Sequence, residues 1–307
     1  MTSSNRVLRI GSRGSALALR QAERMVELLH EHYPDQKCEI RAISTTGDRD
    51  KQTSLTVIGG QGIFAKELQA ALLDDEIDVA VHSVKDLTST LPDNLTLCSI
   101  FDRLDPRDII VSHLGDLNTL PEGSVVGTSS RRRLAQVKRL RPDLYLTDLR
   151  GNIDTRISKA ESGQVDAAVL AAAGVRRMGW EHRIRQYLEP ETFVPAPGQG
   201  ALGLEIRADN HQVRELLAPI QEPDVALAVT AERAFLRGVG GGCTSPIGAY
   251  ARIEGESAIF TGMLAREDLT EMSIETRRCS RSSVIDVASE LATQLLQDLD
   301  IAAEPVR

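Results

Sequence analysis

Apolar residues along the first two thirds of the chain alternate between short continuous runs and longer stretches with helical spacing. Residues 7–10 and 77–81 are such runs, of the kind that forms strands buried in a parallel sheet. In residues 16–30 the apolar positions recur as on one face of a helix, and Ser15 stands at the N-cap position. The alternation restarts at residues 108–111 and predicts repeated β-α-β units, with parallel sheets flanked by helices.

The last third of the chain has a different pattern. Segments at residues 101–107 and 194–200 interrupt the alternation, and the second is rich in proline and glycine. Beyond it, a helical pattern at residues 225–236 precedes three strand-like segments, and an amphipathic stretch at residues 283–299 closes the chain. Strands that follow one another, with helices before and after them, predict a small α+β domain. The sequence therefore predicts two α/β halves and a smaller C-terminal α+β domain.

Composition and charge narrow the classes of function. The 307 residues are 41% hydrophobic and 26% charged, as in a globular protein of two or three domains. A net charge of −8 argues against general affinity for nucleic acid or anionic membranes, and an aromatic content of 3% argues against base stacking. Residues 126–186 nevertheless hold eleven Arg and two Lys against six acidic residues, which predicts a local anion-binding region. A solvated face is the alternative, and it suits Lys138, Arg139 and Arg141.

The N-terminus and the cysteines indicate a cytoplasmic protein. Residues 1–20 contain arginines and no long apolar stretch, so we expect neither a secretory signal nor a membrane span. The four cysteines lie far apart without a Cys-x-x-Cys pair, which is typical of reduced thiols rather than of disulfides or a zinc site. The six histidines are scattered, and we expect no metal site.

Polar residues follow several of the predicted strands, at the end where open α/β sheets bind ligands. Lys85 and Asp86 are able to polarise a substrate and stabilise charge, although a surface loop is the favoured interpretation of these residues alone. Residues 127–133 place hydroxyl groups and arginines at a helix N-terminus, which suits phosphate and carboxylate equally. Residues 149–156 again place arginine after a strand, and together with Arg13 these turns predict a cleft for a polyanion.

Cys243 is the candidate reactive thiol. Burial is the usual fate of a free cysteine, and we expect it for Cys38, Cys98 and Cys279. Three glycines precede Cys243, which indicates a flexible or closely approached backbone and an accessible sulfur atom. A nucleophilic cysteine normally has a histidine base, and none lies nearby in the sequence, so the pattern predicts a reactive or modified thiol without choosing between them.

An ordered set of motifs resembles the porphobilinogen deaminase family along nearly the whole chain. Each motif is weakly informative, but their order is highly specific. They are RIGSRGS at residues 9–15, HSVKD at 82–86, DPRD at 105–108, GTSS at 127–130, LRGN at 149–152, PGQG at 197–200 and GGC at 241–243. The resemblance implies two α/β lobes like those of periplasmic solute-binding proteins, with a central cleft and two crossover strands, and a third α+β domain. The implied domains are residues 1–101 with 198–220, residues 102–197, and residues 221–307.

The resemblance also implies a cofactor and a reaction. A dipyrromethane, made from two substrate molecules, is implied as a thioether on the sulfur of Cys243. Loss of ammonia from porphobilinogen leaves a cationic azafulvene that the terminal pyrrole attacks, and Asp86 matches the family's catalytic carboxylate, which stabilises the cationic stages. Four condensations and a hydrolysis release linear 1-hydroxymethylbilane for tetrapyrrole and haem synthesis. The growing chain is a polycarboxylate, which accounts for an arginine-rich cleft in an acidic protein.

The matching motifs imply which residues of this sequence contact the cofactor and the substrate. The implied cofactor-binding residues are Cys243, Lys85, Asp86, Ser130, Arg132, Arg133 and Arg150. The implied substrate-binding residues are Arg13, Ser15, Phe64, Arg156, Arg177 and Gln61. Gln61 stands where the family commonly has lysine, so a carboxylate salt bridge is not expected there. Arg131 is offset from the family's paired arginines and is expected to point elsewhere.

A non-catalytic two-lobed protein that binds an anionic solute is the alternative function, since its scaffold would look the same over residues 1–220. It gives no reason for a third domain with a glycine-flanked cysteine, and a secreted binder would have a signal peptide. A conventional cysteine-nucleophile transferase predicts rapid alkylation of Cys243, which a thioether would resist. We therefore expect a monomeric transferase with porphobilinogen as its small-molecule substrate and without nucleic-acid or membrane partners.

Overall fold

The computed structural model describes residues 6–45, 65–241 and 245–301. They fall into two compact units, Met1–Arg103 with Ala201–Ala226, and Leu104–Gly200 with Leu227–Arg307. The first unit contains one α/β sheet, and the second contains another together with a smaller α+β portion, which confirms the predicted fold class. The three-domain division and its boundaries stay a prediction.

The first unit is built on a five-stranded sheet with helices on both faces. Its strands are β1 (Leu8–Arg13), β2 (Cys38–Ile43), β3 (Val79–Ser83), β4 (Leu95–Phe101) and β10 (Leu202–Arg207). Their spatial order is β2-β1-β3-β10-β4. Its helices are α1 (Ala16–His32), α2 (Lys66–Leu73) and α6 (His211–Leu217).

Alternation along β3 separates the two faces of this sheet. Val79 and Val81 share a core with Met25 of α1, whereas Ala80 shares a second core with Leu68 of α2. Full burial of a side chain such as Met25 or Leu68 contributes about 1.5–3 kcal/mol. Residues at even positions of β3 therefore face α2.

The second unit repeats this arrangement. Its strands are β5 (Asp108–Ser112), β6 (Val125–Gly127), β7 (Tyr145–Thr147), β8 (Ala167–Ala171) and β9 (Gln186–Leu188), in the spatial order β7-β6-β8-β5-β9. Its helices are α3 (Arg131–Leu140), α4 (Ile153–Glu161) and α5 (Ala172–Arg177). Ile157 and Val175 pack in one core of this unit, and Val126 and Val137 pack in another.

One strand in each α/β sheet runs against its neighbours, which corrects the prediction of parallel sheets. Strand β10 is antiparallel to both β3 and β4, and β5 is antiparallel to both β8 and β9. Both strands follow a boundary between the units, at Ala201 and at Leu104. A strand that enters a sheet from another part of the chain needs no crossover helix within that sheet, so its direction is not restricted to parallel.

The rest of the second unit is the smaller α+β portion. Its elements are α7 (Pro223–Val239), which belongs to this unit from Leu227 onwards, β11 (Ile247–Glu254), β12 (Ser257–Ala265), β13 (Met272–Ser280) and α8 (Val284–Asp298), with the strands antiparallel in chain order. Phe235 of α7, Phe260 of β12 and Leu291 of α8 share one core. Met263 on β12 packs in a second cluster with Val194 of the α/β half.

Three cysteines are free thiols among the described residues, and each is half-buried: Cys38, Cys98 and Cys279. Burial raises the pKa of Cys98 to about 11. Within the described ranges, no three His, Cys, Asp or Glu side chains gather as metal ligands. No helix among those same residues is long and apolar enough to span a membrane.

Candidate active site

A polar pocket lies at the carboxyl ends of β1 and β3 in the first unit. It is lined by the end of β1, the first turns of α1, the residue before α2 and the end of β3. The lining residues are Arg13, Ser15, Leu17, Ala18, Gln21, Ala65, Val81, His82, Ser83, Lys85 and Asp86. The pocket thus brings together four of the predicted site residues, namely Arg13, Ser15, Lys85 and Asp86.

Local sequence at the end of β1 shapes one side of the pocket. A Cβ atom on Gly11 would lie 2.3 Å from Cδ1 of Ile77, so a larger residue here would displace the Ile77 side chain. Ser15 caps α1, because its Oγ accepts a hydrogen bond from the Ala18 N–H at 3.3 Å. The predicted N-cap is therefore confirmed, and a cap of this kind contributes about 1 kcal/mol. It holds the start of α1, which follows Arg13, at the pocket.

The end of β3 shapes the other side. This strand ends at Ser83, two residues later than the apolar run predicts, so His82 and Ser83 are its last residues. A short 3₁₀ helix, Val84–Asp86, then carries Lys85 and Asp86. The side-chain amide of Gln21 on α1 donates a hydrogen bond to Ser83 Oγ at 2.9 Å and holds the strand end in place.

Gln21 is a pocket residue that the sequence analysis does not single out. It is buried on α1 together with Ala18, Met25 and Leu29, so it interrupts an apolar stripe with an amide. A buried amide is costly unless it is hydrogen-bonded, and Ser83 supplies a partner. A lone polar residue at helical spacing within an apolar face is the sequence signal that identifies it.

The charges of the pocket fit a ring that carries both N–H groups and carboxylates. Arg13 and Lys85 are cationic, and Asp86 is the one acidic side chain among the described residues of the lining. Charged N–H donors form the strongest hydrogen bonds with carboxylates, and a fixed carboxylate accepts hydrogen bonds from ring N–H groups. The hydroxyl groups of Ser15 and Ser83 add neutral donors and acceptors to the same lining.

In the second unit, Arg132 and Arg133 lie in a buried ionic cluster around Asp108. The two oxygens of the fully buried Asp108 carboxylate lie 2.6 Å from Arg132 Nη1 and 2.7 Å from Arg133 Nη2. The side-chain amide of Gln199 donates a further hydrogen bond to Asp108 at 3.0 Å. Burial by itself raises the pKa of Asp108, but the charges of Arg132 and Arg133 outweigh burial and hold that pKa well below its usual range. Contact of these arginines with a cofactor stays a prediction.

Three more predicted residues lie near the ends of strands in the same α/β half. Ser130 is the N-cap residue of α3, without a side-chain capping bond. Arg150 places its Nε atom 3.1 Å from the carboxylate of Asp148, which is an exposed partner. Arg156 on α4 donates from Nε to the carbonyl oxygen of Gly151 at 2.7 Å. Their contact with ligand stays a prediction as well.

Two further arginines of the second unit contact residues that are distant from them in the sequence. Arg177 donates from Nη2 to the carbonyl oxygen of Gly200 at 2.8 Å. Gly200 has a φ of +91°, and a Cβ atom there would lie 2.4 Å from the Leu104 carbonyl oxygen, so glycine is required. Arg131 places Nε 3.0 Å from Glu267 of the α+β portion, apart from the cluster around Asp108.

The remaining predicted site residues are Gln61, Phe64 and Cys243, and all three lie outside the described residues. Their roles rest on the motifs alone. The described site residues divide between the units: the pocket group lies in the first, and the arginine-rich group with Ser130 lies in the second.

Comparison with protein families accounts for this set of residues. The family model described as "Porphobilinogen deaminase, dipyromethane cofactor binding domain" matches residues 8–215, which is more than half of the chain. The chain belongs to the porphobilinogen deaminase family. The model of that family's C-terminal domain matches residues 226–299. Every residue that lines the first-unit pocket lies within the part matched by the cofactor-binding model.

Individual porphobilinogen deaminases are similar over nearly the full chain. The protein of Syntrophobacter fumaroxidans is 44% identical over 294 residues, which is 95% of each chain. That of Roseiflexus castenholzii is 46% identical over 290 residues, 94% of this chain and 95% of the relative. The Staphylococcus carnosus protein is 49% identical over 267 residues, 86% of each chain.

The solved structures that match this chain are much less similar to it. The methionine-binding protein MetQ has a TM-score of 0.44 at 13% identity, over 72% of this chain and 92% of that one. A periplasmic domain of BvgS from Bordetella pertussis has a TM-score of 0.42 at 16% identity, over 70% and 86%. Scores this low do not establish a shared fold, so membership of the porphobilinogen deaminase family rests on the sequence matches.

Proposed function

We propose that this member of the porphobilinogen deaminase family is a hydroxymethylbilane synthase. It condenses four porphobilinogen molecules with loss of four ammonia molecules, and one water releases linear 1-hydroxymethylbilane. The pocket of the first unit carries the proposal, because it sets one carboxylate, Asp86, among the cationic side chains of Arg13 and Lys85. This donor and acceptor set suits a pyrrole with acidic side chains, which is the chemistry of the substrate.

Asp86 supplies the negative charge that the reaction needs. Departure of ammonia leaves a cationic azafulvene, and attack by a pyrrole α-carbon gives a second cationic stage until the α-proton leaves. The 3₁₀ helix after β3 holds Asp86 in a fixed place, so its carboxylate accepts hydrogen bonds from pyrrole N–H groups without reorganising. Fixed groups of this kind contribute about 2.7–4 kcal/mol to stabilisation of the transition state.

Cationic residues bind the acetate and propionate groups of the rings. In the first unit, Arg13 and Lys85 take this role, with Ser15 as a neutral partner. In the second unit we assign the role to Arg132, Arg133, Arg150, Arg156 and Arg177, with Ser130 as a neutral partner. A guanidinium has five N–H donors, so an arginine that is paired with Asp108 keeps donors for a carboxylate of the cofactor.

The dipyrromethane cofactor, when bound, supplies the nucleophilic pyrrole for the first condensation. We assign its attachment to the sulfur of Cys243, and contacts with substrate to Gln61 and Phe64, from the motifs in which they stand. The chain's own contribution is to hold this group, to orient each porphobilinogen against it, and to keep Asp86 beside the reacting rings.

Intact-protein mass spectrometry with peptide mapping tests this function. We expect the purified chain to carry the mass of a dipyrromethane on the peptide that contains Cys243. A purified chain with the mass of the polypeptide alone, which also gains no pyrrole on incubation with porphobilinogen, would contradict the proposal. A protein that binds porphobilinogen and releases no ammonia would favour the non-catalytic solute-binding alternative instead.

The proposal extends to the state of the enzyme in the cell. We propose a cytoplasmic monomer whose partner is a small molecule, without nucleic-acid or membrane partners. The net charge of −8 supports the absence of polyanionic partners. Light scattering of the loaded enzyme should give a mass near 33.5 kDa, and twice that mass would contradict the monomer.

A further inference from the structure

A buried histidine lies shortly before Asp86 in the chain and faces a buried glutamate on another strand; neither has a part in the chemistry above. His82, near the end of β3, has its Nε2 atom 2.9 Å from Oε2 of Glu205 on β10. Glu205 is fully buried, and 5% of the His82 side chain is exposed. The two atoms are within ion-pair distance, but their geometry does not meet that of a hydrogen bond. The other oxygen of Glu205 accepts a hydrogen bond from the Gln69 amide on α2 at 2.9 Å.

The strand register explains why these two side chains meet. In the antiparallel pairing of β3 with β10, His82 lies opposite Gly203 and Glu205 lies opposite Ala80. His82 and Glu205 are therefore diagonal neighbours on the face that α2 covers, within reach for long side chains. Gly203 has no side chain to separate them. Gln69 meets the pair on that face because α2 packs there.

The buried carboxyl group of Glu205 restrains the ring of His82. A buried polar group is costly unless it has polar partners, and Gln69 bonds only one oxygen of Glu205. Nε2 of His82, at 2.9 Å from the other oxygen, is a second polar group at that carboxyl. The contact therefore favours the ring orientation that keeps Nε2 towards Glu205.

The next residue is held on the opposite face of the sheet. Ser83 Oγ accepts the hydrogen bond from Gln21 of α1 at 2.9 Å. Consecutive residues of a strand point to opposite faces, so His82 and Ser83 anchor the strand end from both sides. The 3₁₀ helix that carries Asp86 begins at the following residue.

We propose that His82, held by Glu205, is a positioning residue for the carboxylate of Asp86. The inference rests on the proposed function, in which Asp86 faces the cationic stages of the condensation. A catalytic group that is misplaced by about 1 Å loses about a hundredfold in rate. The pair acts on the placement of Asp86 and not on substrate affinity, so its loss lowers kcat and leaves KM unchanged.

Three variants of the loaded enzyme test this role, together with one control. His82→Phe keeps a ring and removes its N–H group, whereas His82→Gln keeps an N–H donor for Glu205. The double variant H82F/E205L removes both polar groups of the pair, and with Glu205 it also removes the acceptor of the Gln69 amide. His113→Phe is the matched control, because that imidazole bonds to the backbone carbonyl of Ala160 in the other unit.

We expect the kcat of His82→Phe and of the double variant to fall about a hundredfold with KM unchanged. The kcat of His82→Gln should stay within about fivefold of wild type, because an N–H donor still faces Glu205. His113→Phe should match the wild type. Intact mass should show the dipyrromethane on each variant.

Two results would overturn the proposal. A double variant with wild-type kcat would show that the pair only satisfies buried polar groups, and this variant decides the question even where His82→Phe does not fold. A His82→Gln variant as slow as His82→Phe would show that the polar contact with Glu205 does not position Asp86. Failure of the proposed function is a different observation, a wild-type chain that never gains the dipyrromethane.

Discussion

Replacement of Asp108 by asparagine tests the buried cluster of the second unit. The substitution keeps the shape of the side chain and removes the charge that Arg132 and Arg133 face at 2.6 and 2.7 Å. The two arginine side chains are only 4% and 8% exposed, so both charges would be left buried without compensation. Loss of one partner from a buried pair costs about 3–5 kcal/mol, and two orphaned guanidinium groups place Asp108→Asn near the upper end of that range.

Urea unfolding followed by tryptophan fluorescence measures this loss in the relevant unit. Trp180 is the single tryptophan of the chain and packs against a core of the same α/β half. A loss of about 3–5 kcal/mol moves the unfolding midpoint by at least about 1 M urea when m is about 1–3 kcal/mol/M. Asp116→Asn is the matched control, since Asp116 pairs with Arg185 at the surface with 44% and 57% exposure. We expect that change to cost about 0–1 kcal/mol.

The pH dependence of this effect has a definite sign. The pKa of Asp108 in the folded protein lies below its ordinary value, so the unfolded chain takes up the proton first as the pH falls. The stabilisation is complete above the unfolded pKa of about 3.9 and disappears as the pH falls further, through the folded pKa. The difference between wild type and Asp108→Asn should therefore be constant from about pH 8 to pH 5 and shrink only below about pH 4.

A midpoint for Asp108→Asn no lower than that of Asp116→Asn would refute this reasoning. It would mean that Arg132 and Arg133 are not committed to Asp108 in solution. We expect the loss of stability in both the loaded and the unloaded enzyme, because the cluster is built from the chain's own residues. A loss confined to the unloaded enzyme would instead show that a bound carboxylate takes over from Asp108.

Three further changes test the site. We expect Asp86→Asn to lower kcat by about 10²–10³-fold in a tetrapyrrole-release assay, because it removes fixed electrostatic stabilisation of the transition state. The urea midpoint should stay unchanged, and a kcat within about tenfold of wild type would contradict the role of Asp86. Gln61→Lys introduces the residue that the family commonly has, and turnover should be retained, so complete loss of turnover would count against the interpretation of Gln61. Burial raises the pKa of Cys98 to about 11, so iodoacetamide at pH 7 should leave Cys98 unmodified in peptide maps until the chain is unfolded. Rapid labelling of the folded protein would show that the thiol is more exposed in solution.

Local patterns are enough to predict most elements of the α/β halves. The spacing at residues 153–161 predicts a helix with the bounds that α4 has in the structure. Ser15 is identified as an N-cap because a cap depends on residues only a few positions away. Strand β9, with three residues, and helix α6, which buries only Val213 and Leu217, are not predicted. Elements this short depend on the neighbours that cover them, and no local pattern reveals those neighbours.

The sequence by itself determined the residue types at the strand ends and the family to which they belong. Lys85 and Asp86 follow an apolar strand, and this placement can be predicted from the local sequence. The order of their motif among the other motifs identifies the family. Only the tertiary structure decided the pairings across the chain, such as His82 with Glu205 and Asp108 with its two arginines. These pairings follow from the antiparallel entry of β10 and from the burial of β5. The physical reason is that an ion pair gains its strength from burial between elements distant in sequence, and burial exists only once those elements have packed.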